Sequence, residues 1–324
     1  MPGSFAPDSG QLTQFSRADM IAQYNGEVES QFAKDSFMRM FANVRTVTGT
    51  DTVVGRRIGT TALQRVVEGV RPAASPTGFG KVALTVDTII LARANRALLN
   101  DLQTDFDARS ELGRDHGKML GKFFDQSFLI QAVKGAQQTA PANLGGAIGA
   151  GKNVTLTASG DENDPDKLYK AIASVLTQMR EEEAPVDEMM LLVSPTQFDV
   201  LLDNEKLVKR DFSDGNGDFG KRVLYYCNGV PIMETARIPR TATPSGEHHM
   251  LSNVDNQYAY DITAKDAKAK AVLLHPRSLL AGETIPLTSD IYYDKIELQW
   301  FIDSYMSFGV TVNRPDLCGA VFAA

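Results

Sequence analysis

The stretch DARSELGRDHGKMLGKFFDQSFLIQAVK, Asp107 to Lys134, decides how the rest of the chain is read. Its apolar residues, Leu112, Met119, Leu120, Phe123, Phe124, Phe128, Leu129, Ile130 and Val133, recur every three or four positions and predict one stripe of an amphipathic helix. Asp107 suits the N-cap and Glu111 the positive end; Lys134 suits the negative end, and Gly135 is a natural left-handed stop. At ~1.5 Å per residue such a helix runs about 40 Å, longer than one wall of a small domain needs. It reads as a spine for several layers, with Leu112, Phe123, Phe124 and Phe128 in the core. Gly113, Gly117 and Gly121 recur on one face at a cost in helix propensity, which predicts a close neighbour there. On the helix alone, tolerated glycines are the simpler reading.

The 324 residues suffice for two cores, and 43% hydrophobic with 23% charged residues is an ordinary globular composition. No run is long enough to span a bilayer, and Met1–Gln14 lacks the basic and apolar regions of a secretory signal. Two distant cysteines, Cys227 and Cys318, argue against a disulfide framework and fit a reducing compartment. A net charge of −7 disfavours a strongly basic nucleic-acid binder, which needs clustered Lys and Arg to neutralise phosphates.

Before the spine, residues 1–30 read as a polar arm, and Val28, Phe32, Phe37, Met40, Phe41 and Val44 predict a short helix pinning its end. Residues 49–90 read as a long hairpin: strands over Thr52–Ile58 and Lys81–Leu91 flank about 20 Gly- and Pro-rich residues. This segment carries Arg56, Arg57, Arg65, Arg71 and Lys81 against Asp51, Glu68 and Asp87, a locally basic projection on an acidic chain. Either it is a solvated flap or it lies on a neighbouring subunit. The second reading is preferred, with Arg56, Arg57, Arg65 and Arg71 as candidate intersubunit contacts, because a two-stranded ribbon is marginal alone.

After the spine come a Gly/Ala-rich linker and a strand over Val154–Ala158. A helix capped by Asp164 and Pro165 follows, with the stripe Leu168, Ile172, Val175, Leu176 and Met179. Glu181, Glu182 and Glu183, at its negative end, read as solvated. Met189–Val193 reads as a buried strand, Ser194-Pro195-Thr196-Gln197 as a capping box, and Asn228-Gly229 as a hairpin turn between Val223–Tyr226 and Val230–Thr235. Strands are expected over Ala271–His275, over Ile291–Ile302 (from the alternation of Ile296, Leu298, Trp300 and Ile302), and again through Val310 and Val312. Residues 160–285 thus form an α/β unit flanked by the two ends of the chain.

No constellation of catalytic chemistry emerges. Gly146–Lys152, GAIGAGK, resembles a phosphate loop, but Asn153 stands where Ser or Thr should bind magnesium, and a strand follows where a helix is required. Asp214, Asn216 and Asp218 begin like a calcium loop, but Phe219 and Tyr225 occupy its glycine and glutamate positions. His248-His249 lacks identifiable metal partners, and His116 and His275 read as structural. No catalytic residue, cofactor site or metal site is assigned.

The C-terminus brings a resemblance. Tyr305–Phe322, YMSFGVTVNRPDLCGAVF, resembles the closing strands of major capsid proteins of tailed phages, through Gly309, Arg314-Pro315-Asp316 and Ala320-Val321. Asn228-Gly229-Val230-Pro231-Ile232 with Ala236-Arg237-Ile238-Pro239 is similar to their central hairpin, and Leu192–Phe198 to the strand and helix before it. The order of segments also matches, over nearly the whole chain. The chain therefore resembles major capsid proteins of short-tailed (podovirus-like) double-stranded DNA phages with the Hong Kong 97 capsid fold.

That resemblance implies an α+β fold with an N-terminal arm (1–48), an extended loop (49–90), a peripheral domain with the spine helix 107–134 (91–160 and 286–324) and an axial α/β domain (161–285). It implies a non-enzymatic protein forming hexamers and pentamers of an icosahedral virion shell, assembled in the host bacterial cytoplasm around double-stranded DNA without sequence-specific binding. Scaffolding and portal proteins are the implied partners, with a decoration protein as a further candidate; no membrane is involved. The alternatives are an encapsulin-like compartment of the same fold and a cytosolic α/β enzyme with a lid at 49–90.

Overall fold

The structure is a computed structural model and describes residues 17–61, 63–66, 68–69, 71, 77–97, 108–142, 144, 146–185, 187–208, 216–218 and 221–324. In chain order the elements are α1 (Arg17–Asp35), α2 (Met38–Phe41), β1 (Val44–Thr46), β2 (Thr52–Ile58), β3 (Phe79–Thr85), β4 (Ile90–Ala97), α3 (Ala108–Gly135), β5 (Lys152–Thr155), α4 (Pro165–Glu181), β6 (Met190–Val193), α5 (Pro195–Leu202), α6 (Glu205–Val208), β7 (Gly217–Asp218), β8 (Val223–Leu224), β9 (Tyr226–Cys227), β10 (Val230–Glu234), β11 (Ala269–Leu274), β12 (Leu279–Asp294), β13 (Gln299–Val312) and β14 (Cys318–Phe322). They form two compact units: one of Met1–Ser36, Ile89–Gly121 and Leu287–Met306, the other of Phe37–Thr88, Lys122–Pro286 and Ser307–Ala324. The long helix α3 and the strands β12 and β13 each contribute a segment to both.

In the first unit α1 packs on the glycine face of α3. A Cβ on Gly117 would stand 2.5 Å from the Val28 carbonyl oxygen, and one on Gly113 would stand 3.0 Å from the Tyr24 ring. The helix thus trades propensity for a close crossing that any side chain would block. Tyr24, Val28, Leu112, Leu287, Ile291, Trp300 and Ile302 fill the space between these helices and the sheet. There β4 runs antiparallel to β13, and Arg93, opposite Asp303, grips its carboxylate through Nε at 2.8 Å and Nη2 at 2.7 Å.

In the second unit a six-stranded sheet has the order β5-β14-β11-β6-β10-β9. Leu168, Ile172, Val175, Leu176 and Met179 of α4 are fully buried in its core, with Leu191, Val193, Leu273 and Val321 from the strands. Asp164 caps α4, accepting from the Asp166 and Lys167 amides at 3.0 and 3.2 Å. Asn228 and Gly229, with φ of 50° and 86°, make the tight turn into β10.

Several local expectations change. The pattern over Val28–Val44 is broken: α1 ends at Asp35, the buried Asp125 accepts from the Phe37 and Met38 amides to start α2, and Val44 opens a strand. Asp125 comes from a distant turn of α3, so this break is tertiary in origin. The strand expected over Lys81–Leu91 is two strands, with residues 86–89 between β3 and β4. The strand after the linker is Lys152–Thr155, ending before Ala158. The alternation over Ile291–Ile302 crosses a chain reversal: β12 stops at Asp294 and β13 starts at Gln299. Leu298, with φ of 54°, lies in that turn, and Ile296 is 93% exposed, so neither belongs to a buried strand face. Val310 and Val312 continue β13 rather than forming another strand. Met119 faces outward on α3 instead of joining its stripe. Ser194 donates to Gln197 Oε1 and leaves the backbone amides of α5 without a side-chain cap. Glu182 is paired with Lys152 rather than only solvated. Asp107, the expected cap of α3, lies outside the described residues.

Candidate assembly surface

The β2–β3 ribbon has two faces because successive strand residues point to opposite sides. Its register pairs Val53 with Leu84, Gly55 with Val82 and Arg57 with Gly80 on one face. On the other it pairs Val54 with Ala83, Arg56 with Lys81 and Ile58 with Phe79.

The first face is committed to the second unit. Val53 and Leu84 are buried with Val47, Val86 and Leu280. A Cβ on Gly55 would come within 2.9 Å of Asn313 Oδ1 and 3.3 Å of Leu280, so the glycine lets the ribbon lie flat on β12 and the residues after β13. Arg57 is half-buried, and its Nη2 donates to the carbonyls of Asn313 and, at 3.3 Å, Val312. Burial pushes the Arg57 pKa down, with Asp316 opposing and Arg314 reinforcing that shift. Anchoring continues to the ends of the strands: Gly59 N donates to Gly78 O at 2.7 Å, and Thr60 N to Leu144 O at 3.2 Å.

The second face meets solvent. Val54, Ile58 and Phe79 are exposed, Phe79 to 77%, and Arg56 lies opposite Lys81 with both side chains outward. Beyond the anchored ends, Leu63 is 99% exposed, Val66 is exposed, and so are Arg65 and Arg71. The four arginines read from sequence therefore divide. Arg57 is spent within its own chain. Arg56, Arg65 and Arg71 project from it, and none of them has an ion-pair or hydrogen-bond partner among the described residues. Exposing this face is unfavourable for a lone chain. Each large apolar side chain withheld from burial forgoes ~1.5–3 kcal/mol, and like charges set opposite across a ladder repel.

The residues assigned to the spine core are placed as follows. Phe124 and Phe128 are fully buried with ring centroids 4.6 Å apart, and Phe124 also meets Phe308 at 4.8 Å. Phe123 is half-buried and stacks on His249 at 5.1 Å, while Leu112 is half-buried in the first unit. Burial lowers the His249 pKa to about 4 despite Asp261 nearby, and His248 pairs with Asp261 at 2.6 Å. At Gly146–Lys152, Lys152 opens β5 and its amine is bound to Glu182. Asp214 and Phe219 lie outside the described residues, and Asn216, just before β7, bonds both backbone groups of Tyr226 at the start of β9. No group of three or more potential metal ligands occurs among the described residues. Among the structural ion pairs that local sequence does not reveal are Arg237 with the buried Asp125 and Arg39 with the buried Glu283. Arg237 lies within a hairpin motif already noted, the only local hint of its role.

No protein-family model and no curated protein matches the chain. Solved structures do. The mature capsid of bacteriophage PhiM1 aligns at 29% identity with a TM-score of 0.78, over 89% of this chain and 87% of that one. The capsid of cyanophage P-SCSP1u aligns at 18% identity and 0.75, over 87% and 86%. A virus-like particle from Pyrococcus furiosus aligns at 11% identity and 0.55, over 93% and 98%. Fold and neighbours together define an α+β shell protein with the Hong Kong 97-type fold. Within that class, the chain is of the phage major-capsid-protein type.

Proposed function

We propose that this chain is the major capsid protein of a short-tailed double-stranded DNA phage. It assembles in the host bacterial cytoplasm as hexamers and pentamers of a closed icosahedral shell. Residues 1–48 serve as arm and 49–90 as extended loop; 91–160 with 286–324 form the peripheral domain, and 161–285 the axial domain. The observation that carries this reading is the two-faced ribbon: one face is built into its own unit, and the other presents Val54, Ile58, Phe79, Arg56 and Lys81 to solvent. On an acidic chain, a cationic and apolar outer face fits the carboxylates and apolar groups of another copy, and a closed shell requires such complementary, repeated contacts. The same net charge of −7 makes the protein a poor DNA ligand, which suits a container whose contents must leave. Scaffolding and portal proteins are its assembly partners, and decoration proteins are candidates on the outer surface.

Co-expression with the scaffolding protein, followed by light scattering and electron microscopy, tests the reading. Closed shells with hexameric and pentameric capsomers are expected, and DNA with a unique portal vertex in particles from infected cells. A chain that stays monomeric at every concentration would refute the shell reading. Closed shells that never contain DNA or a portal would instead favour a non-viral compartment of the same fold.

A further inference from the structure

Tyr24 carries a hydroxyl from α1 into the core of the first unit, where the side chain is 2% exposed. Its oxygen lies 2.7 Å from His116 Nδ1 on α3 and 2.8 Å from Ser304 Oγ on β13, and Ser304 Oγ is 3.1 Å from Ser289 Oγ on β12. His116 sits between Gly113 and Gly117, the glycines that let α1 approach, so the imidazole is sealed by the same helix that its partner belongs to.

The charges around it come from each packed element. From α3, Asp115 is adjacent. From β13, Asp303 is nearby, already gripped by Arg93 of β4. From α1, Glu27 is held by Arg114 at 3.2 Å, and β12 presents the uncharged Ser289. Burial is the largest influence on the ring and favours its neutral form, with Asp115 and Asp303 opposing.

We propose that the Tyr24–His116–Ser304 cluster is an acid-operated latch on the N-terminal helix, closed when His116 is neutral and released when it takes a proton. The hydrogen bond itself can survive protonation, since the phenol oxygen can accept from Nδ1–H and donate to Ser304. What protonation adds is a charge walled off from water, and lifting α1 is the way to hydrate it. The sign follows from linkage. With α1 lifted, His116 takes its proton near the ordinary value of 6.5, whereas with α1 docked it does so only at lower pH. The docked form is therefore fully favoured above 6.5. It loses ground as pH falls toward the docked-state value, the opening equilibrium rising by up to about tenfold per pH unit. This inference concerns the single chain and stands independently of the assembly reading.

Hydrogen exchange on the unassembled full chain between pH 7.5 and 5, corrected for intrinsic exchange rates, tests it in peptides covering residues 22–35. Wild-type protection should fall steeply below pH 6.5. His116→Gln, which keeps a polar group but cannot charge, should give a flat profile. Tyr24→Phe should exchange faster at all pH values yet keep the slope. A His116→Gln profile as steep as wild type, or wild-type protection unchanged down to pH 5, would overturn the proposal. Should His116→Gln fail to fold, the wild-type imidazole can be titrated by NMR. A midpoint below 6.5 that coincides with loss of α1 protection supports the latch, and one at or above 6.5 overturns it.

Discussion

The inner and outer faces of the β2–β3 ribbon share the same two strands and nearly the same length, yet they answer to different forces. The inner face is fixed by packing: Val53 and Leu84 are buried, Gly55 admits no side chain, and Arg57 reaches the carbonyls of residues 312 and 313. The outer face has no such packing among the described residues, and leaves Ile58 and Phe79 in water and Arg56 opposite Lys81. One strand pair thus carries residues that serve folding and residues available for association, alternating one by one. A mutation at position n and another at n+1 should therefore be read out by different experiments.

The largest expected effect comes from cutting where the two regimes separate along the strand. Anchoring ends at Thr60 and Gly78, so replacing residues 61–77 by a short Gly-Ser turn removes Leu63, Arg65, Val66 and Arg71 without touching the inner face. The product should remain soluble and melt cooperatively but form no closed particles by light scattering or electron microscopy. A cut at 57–80 would also remove Arg57 and the Gly59–Gly78 bond and should lower the melting temperature as well. Normal assembly of the narrower deletion would show that the tip is a flap. Unfolding would place it in the core.

Next in size is a matched pair of substitutions on the two faces. Leu84→Ala on the inner face leaves a cavity beside Val47, Val53 and Leu280 and should cost ~2–5 kcal/mol in denaturant unfolding. Ile58→Ser with Phe79→Ser on the outer face should change unfolding by no more than about 0.5 kcal/mol, as surface substitutions do. The same double variant should raise the concentration needed for assembly. If both variants lose stability equally, the outer face is covered within its own chain and the distinction fails.

The ribbon itself is legible in the sequence; the contrast between its faces is not. Val/Ile/Thr content locates β2 at Thr52–Ile58 and β3 in part, since Lys81–Leu91 runs past its end into β4, and the Gly- and Pro-rich interval marks the tip. The alternation within Thr52–Ile58 did not reveal which face would be buried, because Val53 and Val54 are equally apolar and the choice depends on Leu280 and Asn313, more than 200 residues away. Sequence puts Arg57 with Arg56, Arg65 and Arg71 for the same reason: local sequence cannot distinguish a guanidinium that meets a backbone carbonyl from one that meets water. The helix α4 was easy to read because its stripe, cap and proline all lie within its own residues. The break after Asp35 depends on Asp125, and the turn at Leu298 interrupts an alternation that continues on both sides, so both remained hidden. On the long helix the glycine spacing fits either tolerated glycines, the simpler reading, or a close neighbour, and the approach of α1 to Gly113 and Gly117 overturns the simpler one.

The smallest effect is the most diagnostic, because its sign differs between the two readouts. Arg56 and Lys81 face each other across the ladder with both side chains outward. In the isolated chain this is a repulsive pair, screened by water and salt, so Arg56→Ala should leave stability unchanged or raise it by a few tenths of a kcal/mol at low salt. In a shell the same arginine would face a neighbour's carboxylates, and its loss should weaken assembly, with the deficit shrinking as salt screens the missing attraction. The two effects are separable by denaturant melts of the monomer and light-scattering assembly curves at about 50 and 300 mM salt, a range over which the screening length falls about 2.5-fold toward contact distances. A variant that is slightly more stable but assembles less well, most clearly at low salt, identifies Arg56 as a residue selected for the assembled state. A variant that loses stability and assembly together would mean that Arg56 has a partner in its own chain, and the outer face would then belong with the inner one.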